Sequence, residues 1–498
     1  MSPEESSAGH PASSRPLRLA LFGASRGGVE ALAALRAEPA FQPVAFFDND
    51  PAKAGTTLEG LPVLPPDAAG LDRCDLVLIS SSFVPAILKQ LAALGAAGRT
   101  ALNLDDLRRR FGPVVCPPEP PAPVVSAAAR VLANRWSALY ACSRTADCPS
   151  HSGLHAITVA TPDFAVAALR LAESLLAFHP EAIFTIYWLS PEIPALPDSS
   201  PPDRRIRHST VGEALGAALP RILLRYSLGE LCSAVRPLLF AHLLARPEVE
   251  RLLYFDADIL VLDRLDSSLD ELSRASLLLT PHHISPGGDP DSDRLILASG
   301  IFNAGFYGLR RTAEAVEFCT WHAARVAGHC SVRPHQSVYL DQRWLDLVPG
   351  IFPGLGIHRD PGANVGFWNL AERGLELTPE FPAGVRCATG PLRFFHFSGY
   401  RASAADRIHE LATIFGYRGS ALRPLVDAYA HHTHPGNPEE YLPAQTATLR
   451  WHRRQHFPEA WSDLLLHAPG DEALWQCAAN TFATDVGELR QLVAARAL

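Results

Sequence analysis

The sequence predicts an α/β protein built from two parallel-sheet units in series, followed by a helical C-terminal region. Three observations carry this. Short apolar runs alternate with helical patterns between Leu17 and Leu94, the alternation restarts at Ala156 and runs past Asp258, and the stretch Pro117-Pro118-Glu119-Pro120-Pro121-Ala122-Pro123 separates the two. Alternating strand and helix patterns mark a doubly wound parallel sheet, and a proline run makes a semi-rigid spacer. The expected divisions are a disordered N-terminus over 1–15, a Rossmann-like domain over 16–112, a Pro/Ala-rich linker over 113–153, a second α/β domain over 154–402 and a helical region over 403–498.

In the first domain, Leu17 to Phe22 reads as a strand, Gly23-Ala24-Ser25-Arg26-Gly27-Gly28 as a turn and Val29 to Arg36 as a helix. A second strand, Pro43 to Phe47, ends at Asp48; a third, Asp75 to Ser80, precedes the helical Ala86 to Leu94. A glycine turn at a strand end lets backbone approach a phosphate at the following helix N-terminus, and an acid after the second strand is placed to meet a ribose. Gly23, Ser25, Gly27, Gly28 and Asp48 therefore form a candidate nucleotide or small-ligand site. Ser25 stands where the second glycine of G-x-G-x-x-G belongs, so a scaffolding domain is the other reading.

The linker contains Ser126 to Tyr140, which has the composition of a helix. Beyond it, Ala156 to Ala160 is a strand, Thr161 to Phe164 a turn, Ala165 to Phe178 a helix, Ile183 to Leu189 a strand and Leu228 to Leu244 a helix. Next comes Arg251-Leu252-Leu253-Tyr254-Phe255-Asp256-Ala257-Asp258-Ile259-Leu260-Val261, an apolar run broken by two aspartates. In extended backbone, residues two apart point to one side, so Asp256 and Asp258 can converge on one hard cation. A divalent ion held by carboxylates and completed by phosphate oxygens is the usual grip on a nucleoside diphosphate. Three further Asp-x-Asp triplets lack this setting. Asp48/Asp50 belongs to the glycine-turn domain, while Asp289/Asp291 and Asp291/Asp293 fall in Ser285 to Asp293, whose composition is that of a polar loop or lid.

Composition narrows the classes. At 498 residues, 47% hydrophobic and 19% charged, the chain is an ordinary soluble globular protein. A net charge of −8 and the lack of a Lys/Arg block argue against a nucleic-acid partner. No apolar run approaches the length of a membrane span and the N-terminus is polar, which predicts a cytoplasmic protein, at most peripheral at the inner face of the membrane. Nine cysteines without a Cys-x-x-Cys pair predict neither zinc nor a disulfide framework, but buried small apolar residues.

Six pieces in order resemble the nucleotide-sugar transferases of the GT-A fold, and among them the retaining family 8 type, which includes glycogenin and bacterial lipopolysaccharide galactosyltransferases. They are Ala160-Thr161-Pro162-Asp163-Phe164, Arg236, Tyr254-Phe255-Asp256-Ala257-Asp258, Phe302-Asn303-Ala304-Gly305, Asp341-Gln342 and His396-Phe397-Ser398-Gly399. The resemblance spans roughly Ala156 to Tyr400. It implies that His396, at the end of the apolar Leu392 to Phe395, completes the metal site with Asp256 and Asp258. Two carboxylates and an imidazole suit Mn2+ or Mg2+, with the imidazole favouring manganese. Phe164, where the family usually carries Tyr, would stack on uracil while Ala160, Thr161 and Asp163 meet base and ribose, or would cap the core. Arg236 would neutralise the diphosphate, or form a surface salt bridge. Asn303, Ala304 and Gly305 would contact the donor sugar, and Asp341 and Gln342 would face donor and acceptor as the catalytic pair, or cap a helix. Gly399 and Arg401, the latter one position before the family's usual Lys, would complete the donor contacts. Asn364 and Trp368 are candidates for the acceptor sugar, or core residues. The first domain, for its part, resembles small Rossmann-like modules found beside bacterial glycan-modifying enzymes and methyltransferases.

The resemblance implies transfer from a nucleoside-diphosphate sugar, UDP-linked by the uracil expectation, to a glycan or lipid-linked acceptor such as a bacterial surface polysaccharide, with retention. Inversion would need a carboxylate base, for which Asp341 is the first candidate. Two other classes stand beside it: a noncatalytic nucleotide or sugar binder, and a Rossmann-type oxidoreductase or epimerase. After Tyr400, helices are expected at Asp406 to Phe415, Ala444 to His456 and Asp485 to Ala497, and His431-His432-Thr433-His434 reads as a solvated turn or a second place for metal.

Overall fold

In the computed structural model the described residues are 16–81, 84–96, 99–101, 104, 107, 126–143, 153–196, 203–223, 226–286, 290–333, 337–401, 406–433, 444–445, 447–448, 452, 465, 472–481, 486–487 and 489–490. The chain divides into two compact units. One comprises Met1–Val115 with Arg453–Leu498, the other Cys116–His452. The N-terminal stretch 1–15 lies outside the described residues.

The first unit holds β1 (Leu17–Phe22), β2 (Phe41–Phe47), β3 (Thr57–Leu58), β4 (Leu61–Leu64), β5 (Leu76–Ile79) and β6 (Thr100–Ala101), in the order β3-β4-β2-β1-β5-β6. All neighbours are parallel except β3 and β4. Central β1 is apolar without alternation, as a strand buried on both faces must be, and Leu19, Ala20 and Leu21 are fully buried. Strand order reverses between β1 and β5, and the glycine turn after β1 sits at this switch point. Gly23 has φ +124°, and a Cβ on Gly28 would lie 3.0 Å from Phe46 Cε1, so close packing of helix Arg26–Leu35 on the strand requires glycine there. Helix Glu472–Thr481, late in the chain, packs on helix Val84–Ala93.

The second unit is organised by a sheet that includes β7 (Leu154–Ala160), β8 (Ile183–Trp188), β9 (Ile206–Thr210), β10 (Arg251–Phe255), β12 (Leu277–Pro281), β13 (Phe302–Arg310) and β16 (Leu355–Ile357), ordered β16-β12-β13-β10-β7-β8-β9. The run β10-β7-β8-β9 is parallel, and β13 is antiparallel to both of its neighbours. A short strand β11 (Ile259–Val261) pairs antiparallel with β20 (Phe394–His396), setting Ile259 opposite His396. Smaller elements are the hairpin β14 (Val332–Arg333) and β15 (Val338–Tyr339) and the sheet β17 (Glu376–Leu377), β18 (Val385–Cys387) and β19 (Gly390–Pro391). The α/β class expected from the sequence is the one observed, with a largely parallel sheet in the first unit, a mixed sheet in the second and helices after residue 403.

Four local differences have physical causes. The linker stretch contains helix Ala127–Ser143, on which Leu132, Trp136 and Tyr140 recur at four-residue spacing; all three are buried, and Trp136 Nε1 donates to Ala383 O at 2.9 Å. The helix expected over Leu228 to Leu244 is two, Leu228–Ala234 and Arg236–Leu244, because Pro237 cannot donate to the carbonyl one turn back. The loop expected around Asp291 and Asp293 is instead the first turn of helix Pro290–Ser299: proline fits the first helical position, and acids there oppose the positive end of the helix dipole. Asp289 lies outside the described residues. Finally, His431 and His432 end helix Leu422–Thr433 and are not a solvated turn. His432 is buried against the rings of Trp136 and Tyr140, with centroids at 5.9 and 5.3 Å. His434, and most of the stretches 444–456 and 485–497, lie outside the described residues.

Candidate active site

In open α/β sheets a ligand crevice forms beyond the carboxyl ends of the strands where chain order reverses. In the second unit the chain runs β7 to β8 to β9 in one direction and then returns to β10 on the other side of β7, so the switch point lies between β7 and β10. The two ends there are Ala160, leading to Thr161–Phe164, and Phe255, leading to Asp256-Ala257-Asp258. A cleft of about 360 Å³ opens between these loops and the start of helix Leu228–Ala234. Its size falls in the ordinary range for small-molecule sites.

The two aspartates line this cleft, and the histidine expected with them lies buried beside them. β20 places His396 beside β11, so Nε2 lies 3.1 Å from Asp258 Oδ1 and 3.8 Å from Asp256 Oδ2. One ligand atom from each residue lies within 4.8 Å of the others. Asp256 divides its oxygens: Oδ1 accepts from Tyr254 OH at 2.6 Å and pairs with Arg236 Nη2 at 2.8 Å, while Oδ2 stays on the His396 side. Burial pushes the Asp258 carboxyl up, but the neighbouring imidazole outweighs it and holds the group below the usual range. The same pairing works in reverse on His396, where burial disfavours the proton and Asp258, then Asp256, more than restore it. Two hard carboxylate oxygens with one imidazole nitrogen make a donor set that fits a divalent cation.

The glycine at 305 allows the imidazole into place. A Cβ there would lie 2.6 Å from His396 Nδ1 and 2.8 Å from Asn303 Oδ1. Gly305 O accepts from Asp256 N at 2.8 Å, tying β13 to the aspartate turn. Asn303 Oδ1 accepts from Gly305 N and from Asn364 Nδ2, at 2.9 and 3.0 Å. Asn364 is itself buried with φ +50°, a conformation Asn tolerates better than most residues. Trp368 stands edge to face with His396 at 5.2 Å between ring centroids, and Asn364 and Trp368 are both almost fully buried. Asn364 Oδ1, Trp368 Nε1, His282 Nδ1 and His396 Nδ1 are buried without a protein partner.

Arg236 is not on the surface. It lies beneath Asp256, donating to Ala304 O at 2.8 Å and pairing with Asp341 Oδ2 at 3.4 Å. Asp341 is 1% exposed, and its Oδ2 also accepts from Tyr307 OH at 2.9 Å. Burial raises its pKa to about 6, with Arg236 working against the rise. Gln342 spans the chain's own groups, Oε1 accepting from Ala304 N at 3.0 Å and Nε2 donating to Ser299 O at 2.9 Å. The pair expected to face substrate is therefore occupied in holding Arg236 and the Asn303–Gly305 strand.

Of the residues expected to meet the donor, Ala160, Thr161, Asp163 and Phe164 line the cleft, with Phe164 38% exposed. Gly399 has φ +80° and Arg401 is exposed, just before residues outside the description. Two further residues line the cleft, Gln445 and Thr448, which no motif marked. Tyr254 and Tyr307 were also missed, although Tyr254 stands two residues before Asp256 in the same strand pattern.

In the first unit, Gly23 and Asp48 are brought together. The Asp48 carboxylate is engaged by the chain itself, accepting from Ala24 N and Asp50 N at 2.9 Å each and pairing with Lys53 Nζ at 2.9 Å. It closes the turn that it was expected to accompany, and Ser25 caps helix Arg26–Leu35 without a side-chain hydrogen bond.

No family model matches the chain. It is similar to two proteins of Bacillus subtilis (strain 168), the uncharacterized protein YfnF, at 28% identity over 187 residues, and the uncharacterized protein YfnD, at 29% over 174 residues. These stretches are 36% and 34% of this chain, and the chain spans 60% and 54% of the length of those relatives. Among solved structures, the galactosyltransferase LgtC with donor and acceptor sugar analogs is similar at 17% identity and a TM-score of 0.32, over 54% of this chain and 99% of that one. UDP-D-quinovosamine 4-dehydrogenase from Vibrio fischeri is similar at 28% identity and a TM-score of 0.16, over 20% and 90%. With TM-scores this low, the fold rests on the strand order itself. Among the described residues, no helix is long and apolar enough to cross a membrane.

Proposed function

We propose that this chain is a metal-dependent glycosyltransferase that moves a sugar from a nucleoside-diphosphate sugar, probed first as the UDP form, to a glycan or lipid-linked acceptor. The observation that carries the reading is the convergence of His396 on Asp256 and Asp258, the two aspartates that line the switch-point cleft. Asp256 Oδ2, Asp258 and His396 Nε2 would hold Mn2+ or Mg2+. When bound, the cation would offset negative charge growing on the leaving diphosphate.

The chain's own groups do the rest. Arg236 pairs with Asp256 and orients it, with Tyr254 fixing the same oxygen. Arg236 is in turn held by Asp341, so Asp341 serves as a positioning residue. Phe164 offers an exposed face for a base, and Asp163 and the Thr161 backbone stand beside it. Asn364 and Trp368 are buried beside the triad with Oδ1 and Nε1 unpartnered, atoms that suit sugar hydroxyls. Asp341 is almost fully buried and paired with Arg236, not free to serve as a carboxylate base, which supports retention, with the leaving phosphate taking the acceptor proton, over inversion.

The test is release of nucleoside diphosphate from a panel of sugar nucleotides, with and without Mn2+, and proton NMR of the product's anomeric centre. Manganese-dependent release supports the reading. Binding without turnover across the panel would make the chain a sensor, and hydride exchange would move the activity to the first unit.

A further inference from the structure

We infer that the C-terminal segment around Gln445 supplies a wall of the cleft that reads the edge of the donor's nucleobase. The inference rests on the donor reading above and adds a residue and a role to it. Gln445 and Thr448 line the same cleft as Asp163, Phe164, Asp256 and Asp258, although they lie almost 190 residues beyond the aspartates.

The wall is anchored. Thr448 is 1% exposed, and its hydroxyl donates to Ala444 O at 2.9 Å, as on a helical turn. Four residues on, buried His452 bonds through Nε2 to Tyr226 O at 2.7 Å. Tyr226 OH donates to Val326 O at 2.7 Å, and the next helix, Leu228–Ala234, contributes Leu228, Gly229 and Cys232 to the cleft. His452 is thereby tied to Tyr226, two residues before the helix that forms the neighbouring wall.

Chemistry divides the lining. Asp256 and Asp258 suit the charged part of a nucleoside diphosphate through a cation, while Val159, Phe164 and Leu228 suit the apolar faces of a flat ring. A base also has an edge with a donor next to an acceptor. A carboxamide matches it, with one acceptor oxygen and two N–H donors, and Gln445, a half-buried residue of this lining, carries one. Thr448 has its hydroxyl proton committed to Ala444 O, which leaves Gln445 as the reading group of the pair.

The experiment uses the full chain with Mn2+ and calorimetric titration of two probes, UDP and inorganic pyrophosphate, which lacks the base. In Gln445→Ala and in Gln445→Leu, which keeps the bulk of the wall, UDP affinity should fall about tenfold, the worth of a hydrogen-bonded edge, while pyrophosphate affinity stays at the wild-type value. Unchanged UDP affinity in both variants would overturn the inference. So would an equal fall for both probes, which would make Gln445 a prop for the cleft. Failure of the donor reading looks different: the wild-type chain would bind neither probe, and the inference would fall with it.

Discussion

Asp258 lies 3.1 Å from the imidazole that shares the site, so Asp258→Asn keeps the shape and removes the charge. Turnover should drop at least about a hundredfold in a nucleoside-diphosphate release assay, while Asp291→Asn, on an exposed helix turn, should leave it unchanged. Gly305→Ala pushes a methyl into His396, and Mn2+ affinity followed by electron paramagnetic resonance should weaken about 10–100-fold in protein that still melts cooperatively. Asp341 gives a pH signature. Its folded pKa of about 6 exceeds the unfolded value of about 3.9, so the folded chain binds more protons between the two. Stability from this group is fully present below the unfolded value and is lost as pH rises through about 6. Asp341→Asn stays neutral throughout, so its Tm relative to wild type should rise by about 2–4 °C from pH 4 to pH 7; a flat difference would refute the raised pKa. The aspartate pair was legible in the sequence because two residues of one short strand fix its geometry. The Arg236–Asp341–Tyr307 network was not, because its members sit 105 and 34 positions apart and meet only when β13 lies beside β10.

At the scale of elements, unbroken apolar runs gave β1, β5, β7, β8 and β10 within a residue or two, since a strand buried on both faces needs such a run. Helix Leu422–Thr433 was missed because Pro424 and two histidines obscure its apolar stripe. Helix Ala127–Ser143 was recognised as helical but placed in a linker, for its neighbouring prolines look like a spacer and its docking partner lies some 250 residues later. Its packing yields a prediction. Trp136→Ala should cost about 3–5 kcal/mol in denaturant unfolding, through a lost buried ring and an orphaned Ala383 carbonyl. Likewise, a fragment starting near residue 150 should aggregate, whereas 116–452, which retains the helix, should fold and release nucleoside diphosphate. Equal behaviour of the two fragments in size-exclusion chromatography would show that the helix is dispensable.

For the whole molecule, the division into units predicts two calorimetric transitions. Removing 453–498 takes buried Leu465, Trp475 and Leu489 from the first unit and strips helix Val84–Ala93 of its partner. One transition should fall by several degrees while UDP–Mn2+ affinity, a property of the second unit, is unchanged; loss of affinity would mean that the tail supports the cleft. The same division fixes an order of events on the ribosome. Strands β1 to β6 emerge before the second unit, yet 453–498, which belongs with them, is encoded behind the whole of 116–452. At about 5–20 residues per second, the stretch 116–452 takes roughly 20–70 s to synthesise. The first-made sheet must wait that long, incompletely covered, while the later-made unit has its whole sequence available before it, so the nascent chain matures from the middle outward and the earliest residues are the ones most exposed to chaperones and proteases.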